Sequence, residues 1–352
     1  SGEIKNLTKG NSVSIPLTSS VTNTATTQDK LVGNSYTINI EPYTSGNTKA
    51  FYCKLHKDTL ADYLIASGNL WQSGLEGDGY RYTGSGAVGT SNNPDNFICF
   101  GTTSKSECAA NQDKYMYRVL GVFSDANGEN HVKLIKYKQL GSYAWNANYQ
   151  TDISWENSDM YKGLNGSYFL TNTTYDYLQN TTWKNKIENW AWSAVNTKTS
   201  DGSNGPNYYS GLTPSQIYLH EMNRNTKTST VGEWTTPSAK IGLMYASDYT
   251  LSLGASALAI TGSTYANQAT LETGWMHQSN NDTTKSQYEW TLSRYGAIGS
   301  RFGAWCVFSV GRVDIDYVFN SYGARPVFYL TNDVKITADG DGSLENPFII
   351  ES

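Results

Sequence analysis

The sequence predicts an α+β protein of short strands, a few helices and long loops, preceded by a β-rich N-terminal region. Charged residues are only 16% of the 352 residues, whereas about a quarter is usual in globular domains. The chain is rich instead in Tyr, Trp, Asn, Ser, Thr and Gly. Apolar and polar residues alternate in several short runs, which is the spacing of strands. This composition is typical of extracellular proteins built from strands and loops.

The first predicted unit, residues 1–94, is β-rich with one helix and a flexible loop. Alternating runs at 12–24 and 34–44 predict strands. Between residues 57 and 66, Leu60, Tyr63 and Leu64 recur at helical spacing and predict a helix. Residues 68–94 are rich in Gly, Ser and Asn, so we expect an irregular loop there.

The second predicted unit, residues 95–352, mixes strands with short helices. Apolar runs at 117–123 and 131–137 flank the turn sequence DANGEN and predict a β-hairpin. Helices are predicted at 181–195, capped by Thr181 or Thr182, and at 213–222, with Pro214 in the first turn. A strand is predicted at 240–245 with a short helix after it, and the C-terminus is predicted to close as strand, turn and strand.

The cysteines indicate an oxidising compartment. Cys99 and Cys108 flank a polar loop, and the predicted arrangement is a disulfide between them, with two unpaired thiols as the alternative. The four histidines are scattered and no CxxC occurs, so no metal site is predicted. Residues 220–224, HEMNR, have Arg where the zinc motif HExxH needs its second His. Residues 339–343 open like a calcium loop, but Ile350 stands where that loop needs Glu.

Charge and hydropathy exclude two further classes of partner. The net charge of −5 leaves no basic patch for a nucleic acid. There is no apolar run near 18 residues, so no membrane insertion is predicted. No cofactor and no catalytic residue are predicted, although structural calcium, held by carboxylates such as Asp248, stays open.

Residues 290–326 are the most unusual segment, because two sets of residues interleave in it. One set would form a structural frame: Trp290, Leu292, Trp305, Val307, Gly311, Val313, Val318, Gly323, Arg325 and Pro326. The other mixes aromatic, Arg, Asp and aliphatic residues, a combination typical of binding hot spots. The predicted ligand-binding residues come from this second set: Ile298, Ser300, Arg301, Phe302, Cys306, Phe308, Arg312, Asp314, Ile315, Asp316, Tyr317, Phe319 and Asn320.

The first set is expected to support the fold and the second set to bind the ligand. Trp290, Trp305 and Val307 should pack inward, and Arg325 should hold the loop by hydrogen bonds to backbone carbonyls. The aromatic residues of the second set would supply apolar contact area, and its Arg and Asp residues would supply charge complementarity. Because neighbours along a strand point to opposite faces, one ligand cannot contact all of them.

The order of segments from residue 95 onward resembles a family of bacterial surface domains with a C-type-lectin-like fold. That family is related in architecture to the formylglycine-generating enzymes. The resemblance lies in segments that occur in the family's order: 96–101, 117–123, 132–137, 164–169, 241–249, 290–293, 323–330 and 340–350. It implies a ligand-binding domain at 95–352 in a bacterial extracellular or cell-surface protein.

Some members of such families are variable proteins of diversity-generating retroelements. These systems rewrite adenine-rich codons in a C-terminal stretch, and the rewritten codons cannot become Lys, Glu, Gln, Met or Trp. Residues 296–323 contain none of Lys, Glu, Gln or Met, and Trp305 belongs to the frame. Arginine is rare in the chain, yet Arg294, Arg301, Arg312 and Arg325 fall within residues 290–326. The segment is therefore expected to be diversified, with an ordinary strand pair of mixed surface as the alternative.

The function predicted from these observations is non-catalytic, adhesin-like binding of an unknown surface protein or other macromolecular ligand. A pilin-like or other structural surface subunit is the first alternative. An enzyme related to formylglycine-generating oxidases is the second, and it is disfavoured because those enzymes need a pair of active-site cysteines, whereas the C-terminal half of this chain has only Cys306. A calcium-dependent sugar ligand is also disfavoured, since the Glu-Pro-Asn or Gln-Pro-Asp motif is absent.

Overall fold

The computed structural model describes residues 59–83, 93–148, 154–195, 209–222, 234–278, 287–298, 301–337 and 340–351, and within residues 5–57 the backbone of short strands. The chain is α+β, as predicted. Its described α-helices are α1 (Leu60–Ala66), α2 (Lys105–Ala110), α3 (Gln112–Tyr115), α4 (Asp159–Leu164), α5 (Thr181–Asn185), α6 (Pro214–Met222), α7 (Ala246–Thr250), α8 (Ala255–Leu258), α9 (Gln268–Glu272) and α10 (Trp275–Gln278).

The strands near the N-terminus are short and pair in three small groups. They are β1 (Lys5–Leu7), β2 (Val13–Ser14), β3 (Ser20–Val21), β4 (Thr26–Leu31), β5 (Asn34–Asn39), β6 (Lys49–Phe51) and β7 (His56–Lys57). β1 pairs with β6, β2 with β3, and β5 with both β4 and β7. The predicted β-rich character of this region therefore agrees with its backbone.

A seven-stranded sheet forms the larger layer of the remaining chain. Its strands are β8 (Leu70–Gln72), β9 (Tyr80–Tyr82), β10 (Phe97–Cys99), β11 (Met116–Ser124), β12 (Asn130–Lys136), β22 (Val327–Tyr329) and β23 (Phe348–Ile349), in the order β22-β12-β11-β10-β23 with β9 joining β11 to β8. The predicted hairpin is confirmed as β11–β12. Its strands alternate apolar residues, and its turn residues, Asn127 and Gly128, suit a tight reversal.

A five-stranded sheet carries the segment of interest. Its order is β13-β21-β18-β19-β20, from β13 (Ser142–Ala144), β21 (Ser321–Gly323), β18 (Glu289–Ile298), β19 (Arg301–Val307) and β20 (Val313–Tyr317). Strands β18, β19 and β20 form an antiparallel meander. Two strand pairs complete the structure: β14 (Trp190–Ala191) with β17 (Ser238–Ala239), and β15 (Ala194–Val195) with β16 (Trp234–Thr235).

Local signals explain the helices that were predicted correctly. Helix α1 begins after Thr59, whose hydroxyl accepts from the Asp62 amide while the Asp62 carboxylate accepts from the Thr59 amide. This reciprocal cap satisfies two amides that the first turn leaves without partners. Leu60 and Leu64 then bury one face of the helix. Helix α6 begins at Pro214, because proline fixes a helical φ where no amide hydrogen is needed.

Tertiary pairing overrides the helix predicted at 181–195. The helix is only α5, it is capped by Asn180 rather than by Thr181 or Thr182, and β14 and β15 occupy much of the remainder. The Glu188 amide donates to the Tyr329 carbonyl at 2.8 Å, which ties this stretch to the large sheet. Pairing with a distant strand thus satisfies backbone groups that a longer helix would have satisfied locally.

Two other predictions also need correction. Residues 68–94 contain strands β8 and β9, and β9 pairs with β11. The sheet and its core therefore include residues 59–83, on the N-terminal side of the boundary predicted at residue 94. Residues 240–245 form a single bridge, between Gly242 and Val327, rather than a strand, although the short helix predicted after them is present as α7.

The described residues share one continuous hydrophobic core. It includes Trp145, Trp155, Trp192, Trp275, Trp290 and Trp305, all of them buried. The predicted disulfide between Cys99 and Cys108 is present and closes the loop that holds α2 against β10.

Candidate ligand-binding surface

The predicted frame of residues 290–326 is entirely buried. Every member lies inside the protein: Trp290, Leu292, Trp305, Val307, Gly311, Val313, Val318, Gly323, Arg325 and Pro326. Trp290 Nε1 donates to the Tyr143 carbonyl at 2.9 Å, which joins β18 to β13. The frame therefore fixes the strands without presenting its own side chains to solvent.

Arg325 holds the start of β18 in place through buried polar contacts. Its Nε lies 2.7 Å from Glu289 Oε1, and both side chains are almost completely buried. Its Nη2 donates to the Met276 carbonyl at 3.1 Å. The sequence predicts backbone carbonyls as partners of Arg325, and the Met276 carbonyl is one of them. It does not predict the Glu289 carboxylate. The ion pair fixes the side chain of Glu289, which lies between Tyr288 and Trp290 in the sequence.

Aromatic rings, half-buried except for the exposed Tyr265, lie in a line across the five-stranded sheet. We call this line the aromatic row, and its members in spatial order are Tyr168, Tyr143, Tyr322, Tyr288, Phe308 and Tyr265. Tyr143 lies on β13 and Phe308 directly follows β19, so at a strand spacing of about 4.8 Å these three steps span roughly 14 Å. A surface of that length, rich in rigid rings, is suited to contact with a macromolecule.

Ring contacts connect the row in two groups, Tyr168 with Tyr143, and Tyr322 with Tyr288 and Phe308. Tyr168 stacks on Tyr143 with centroids 4.2 Å apart, and Tyr143 lies directly opposite Tyr322 in the β13–β21 pair. Tyr322 stacks on Tyr288 at 4.8 Å, and Tyr288 meets Phe308 edge-on at 4.9 Å. The rings within these two groups are therefore held by their neighbours, so little of their side-chain entropy remains to be lost when a ligand binds.

Arg312 lies between the last two rings of the row. Its guanidinium carbon is 4.7 Å from the Phe308 ring centroid and 4.9 Å from that of Tyr265, and its Nε lies 3.1 Å from Asp314 Oδ2. Tyr265 is 54% exposed, the highest fraction among the large hydrophobic side chains described. An arginine held between two rings presents its remaining donors in a fixed direction.

The turn that carries this arginine is rigid. The Phe308 amide donates to the Arg312 carbonyl at 2.8 Å, and the Tyr249 hydroxyl donates to the Gly311 carbonyl at 2.8 Å. Gly311 has φ +80°, and a β-carbon there would lie 2.5 Å from the Glu272 amide nitrogen. Only glycine fits this position, so the turn is held against α9.

The two predicted surface aspartates are largely engaged within the protein. Asp314 accepts from the Ile315 amide at 2.8 Å as well as pairing with Arg312. Asp316 accepts from the Tyr317 amide at 2.7 Å and from Asn320 Nδ2 at 2.9 Å, and the Tyr322 hydroxyl donates to it. The predicted charge complementarity therefore rests mainly on Arg312. Two amides of β20 are also already hydrogen-bonded, which opposes addition of a partner strand.

Of the remaining half-buried residues of the predicted set, Phe302 lies on β19 opposite Ala297, and the others lie on the other side of β20 or beyond its end. Ile315 pairs across the ladder with Trp305, and Tyr317 pairs with Gly303. The Tyr317 and Phe319 rings stack with centroids 5.5 Å apart. Alternation along the strand thus separates these residues from Asp314 and Asp316. The predicted set is divided between two surfaces, as strand geometry requires.

Some predicted residues do not belong to the surface. Cys306 is 0% exposed, its thiol donates to the Asp314 carbonyl at 3.5 Å, and burial raises its pKa well above the ordinary value. Its assignment as a ligand-binding residue was therefore wrong, and it is a core residue. Ser300 lies outside the described residues. Ile298 and Arg301 are described only as backbone, at the ends of β18 and β19.

Asp248, offered as a calcium ligand, is also engaged elsewhere. Its carboxylate lies 3.4 Å from Arg81 Nη1, pairs with Lys133 Nζ and accepts from the Tyr245 amide at 2.8 Å. Two cationic side chains contact it, so the protein itself neutralises this carboxylate. A calcium ion would have to displace buried partners there.

Five tyrosines of the row were missed from sequence: Tyr143, Tyr168, Tyr265, Tyr288 and Tyr322. Three of them lie outside residues 290–326 by more than 20 positions, Tyr288 adjoins that segment, and Tyr322 lies inside it but was assigned to neither set. A tyrosine-rich composition was visible, but no local pattern relates these positions to Phe308. They meet because β13 and β21 pair and because residue 265 folds against the β19–β20 turn.

Comparisons with protein families, with curated proteins and with solved structures find no match to this chain. Within the part of the chain that the structure describes, no helix has the length and apolar character needed to cross a membrane.

Proposed function

We propose that this chain is a non-catalytic, extracellular bacterial binding protein of adhesin type, with a C-type-lectin-like domain that displays the aromatic row to a macromolecular ligand. The observation that carries the proposal is the position of Arg312, held between Tyr265 and Phe308 at the exposed end of the row. Aromatic residues and arginine dominate binding hot spots. Rings that are already stacked add contact area at a low entropic penalty.

The division of residues 290–326 supports the proposal. All ten frame residues are buried, whereas Phe302, Phe308, Arg312, Ile315, Asp316, Tyr317, Phe319 and Asn320 are each partly exposed. A buried frame with displayed residues between its members allows the displayed side chains to change while the fold is kept. Two sheets, short helices and long connections are also the elements expected of a C-type-lectin-like domain.

Binding to intact cells tests this function. The purified chain, labelled with a fluorophore at its N-terminus, would be titrated onto cultured epithelial cells and onto bacterial cells. Arg312→Glu and Tyr288→Ser should each weaken saturable binding at least tenfold with little change in melting temperature. Lys138→Glu is the matched control, because Lys138 Nζ lies 4.8 Å from the Tyr137 ring and the charge change is the same. Equal affinity of Arg312→Glu and Lys138→Glu would refute the proposed surface.

Diversification of the displayed residues is the second part of the proposal. It is supported by the residue types absent from 296–323 and by the agreement between the frame and burial. The DNA that flanks the gene should contain a near-copy of the stretch encoding residues 290–326, differing almost only at adenines, beside a reverse transcriptase. If no such copy exists, the surface is fixed and serves one dedicated ligand or a subunit interface.

A further inference from the structure

Three potential metal ligands converge at the β11–β12 turn, on the large sheet and outside the aromatic row. They are Asp125, Glu129 and His131, and one ligand atom from each lies within 4.8 Å of the others. Asp125 and Glu129 belong to the turn, and His131 is the second residue of β12. Acidic residues are common in exposed turns, so the carboxylates alone would not define a site.

His131 is the observation that distinguishes this turn. It is 3% exposed. Its Nδ1 lies 2.8 Å from the Leu330 carbonyl, which can only accept, so Nδ1 carries the hydrogen. In the neutral ring, Nε2 is then a lone-pair acceptor. Nε2 is buried without a hydrogen-bond partner, and it lies 4.0 Å from Asp125 Oδ2. Buried polar atoms are rarely left without a partner.

Each of the three residues is also oriented by an outer hydrogen bond. Asp125 Oδ1 accepts from the amides of Asn127 and Glu129, both at 2.9 Å. Glu129 Oε2 accepts from Asn332 Nδ2 at 2.8 Å. The Leu330 carbonyl fixes the His131 ring. In metal sites, such outer partners orient the ligands and select the histidine tautomer.

We propose that Asp125, Glu129 and His131 bind a divalent transition-metal ion, with zinc as the representative. One imidazole nitrogen and two carboxylates are ligands that zinc accepts, whereas calcium and magnesium prefer oxygen alone. The imidazole therefore selects against the hard cations.

The distances are compatible with this assignment after a small closure. Ligand atoms of a tetrahedral zinc ion, at bonds of about 2.0–2.1 Å, are separated by roughly 3.3 Å. The 4.0 Å between His131 Nε2 and Asp125 Oδ2 must shorten by about 0.7 Å, and the separations from Glu129, which lie within 4.8 Å, by at most about 1.5 Å. Asn332 donates a hydrogen bond to Oε2 of Glu129, which leaves Oε1 of this exposed side chain to approach the ion. Three protein ligands leave a fourth position open to water or to a donor atom from a partner.

Bound metal would connect three parts of the sheet. The turn supplies two carboxylates, and β12 supplies His131. The segment after β22 contributes the Leu330 carbonyl and Asn332. His131 also meets Trp190 edge-on, with ring centroids 5.3 Å apart. A metal ion here would therefore fasten the hairpin tip to β22 and restrict the ring that packs against Trp190.

Zinc titration of the tag-free, chelator-treated chain tests the site, with a chromophoric chelator as competitor and Co²⁺ absorption as a second readout. The wild type should bind one equivalent, and Co²⁺ should give visible bands. Glu129→Gln and His131→Gln should each weaken zinc binding at least tenfold, since loss even of an outer partner weakens metal affinity 10–100-fold. Glu129 is exposed, so its variant is expected to fold even if the His131 variant does not.

Two control variants match these changes. Asp176→Asn removes a 66%-exposed carboxylate elsewhere, and His220→Gln removes another histidine, and both should bind zinc as the wild type does. Millimolar Ca²⁺ should not compete. Zinc affinity that is unchanged in Glu129→Gln, displacement of zinc by Ca²⁺, or no stoichiometric zinc binding by the wild type would each overturn the assignment.

Discussion

Removal of Arg325 should destabilise the protein strongly, because it leaves Glu289 buried without a counter-charge. The two side chains are 1% and 2% exposed, with Nε and Oε1 2.7 Å apart. Loss of one partner of a buried pair typically costs about 3–5 kcal/mol. We therefore expect Arg325→Met to lower the free energy of unfolding by about that amount at pH 7.5. Guanidinium denaturation, followed by tryptophan fluorescence, measures this difference.

The loss of unfolding free energy caused by Arg325→Met should decrease as the pH is lowered. Burial raises the pKa of Glu289, and the charge of Arg325 opposes that rise. Without Arg325, the pKa in the folded state rises further above its unfolded value of about 4.3. A carboxyl group whose pKa is higher in the folded state than in the unfolded state stabilises the folded protein at pH values below the unfolded-state pKa. That contribution is lost as pH increases. The deficit should thus shrink between pH 7.5 and pH 4.5, by at most about 1.4 kcal/mol per pH unit.

Two comparisons make this prediction specific. A double variant with Met at both positions removes both charges and should recover about half of the deficit or more. Lys114→Met removes one member of a surface pair with a similar distance, 2.9 Å, and side chains 26% and 66% exposed. It should cost about 0–1 kcal/mol. The reasoning fails if Arg325→Met costs no more than Lys114→Met, or if its deficit grows on acidification.

Three further predictions concern the turn, the disulfide and a buried acid. Gly311→Ala should lower the free energy of unfolding by at least about 2 kcal/mol, because Gly311 has φ +80° and the new β-carbon would lie 2.5 Å from the backbone of α9. Gly68→Ala, at φ +76° but in open space, should lower it by about 1–2 kcal/mol; thermal denaturation measures both. Replacing Cys99 and Cys108 together by Ser should cost about 2–3 kcal/mol for a sequence separation of 9, measured by urea unfolding. Burial raises the pKa of Glu221 to about 7, so it stabilises at acidic pH and loses that effect as pH rises; Glu221→Gln should flatten the pH dependence of stability between pH 4.5 and 7.5.

Local sequence signals predicted the elements whose hydrogen bonds are local. The hairpin of β11 and β12 follows from two alternating runs around a turn, and α6 follows from Pro214 at a helix start. The helix predicted at 181–195 was wrong because Glu188 donates to Tyr329, more than a hundred residues away in the sequence. No local pattern records that pairing.

The candidate site was predictable in part for the same reason. The buried frame of 290–326 could be selected from its residue types, and so could the displayed Phe308 and Arg312. Tyr143 and Tyr265 reach the row only through pairing between distant segments. The group at the β11–β12 turn is a different case, because Asp125, Glu129 and His131 are close together in the sequence. Only the structure shows that His131 is buried with its Nε2 left without a partner.

The most direct test of the proposed surface is a substitution scan of residues 287–326 on displayed protein, with two readouts for every variant. Protease resistance reports folding, and capture by the cells that bind the wild type reports binding. Substitutions at Trp290, Trp305 and Arg325 should lose both. Substitutions at Phe308 and Arg312 should keep protease resistance and lose binding. If the displayed positions lose folding as the frame does, or keep binding when replaced, the aromatic row is not a ligand surface.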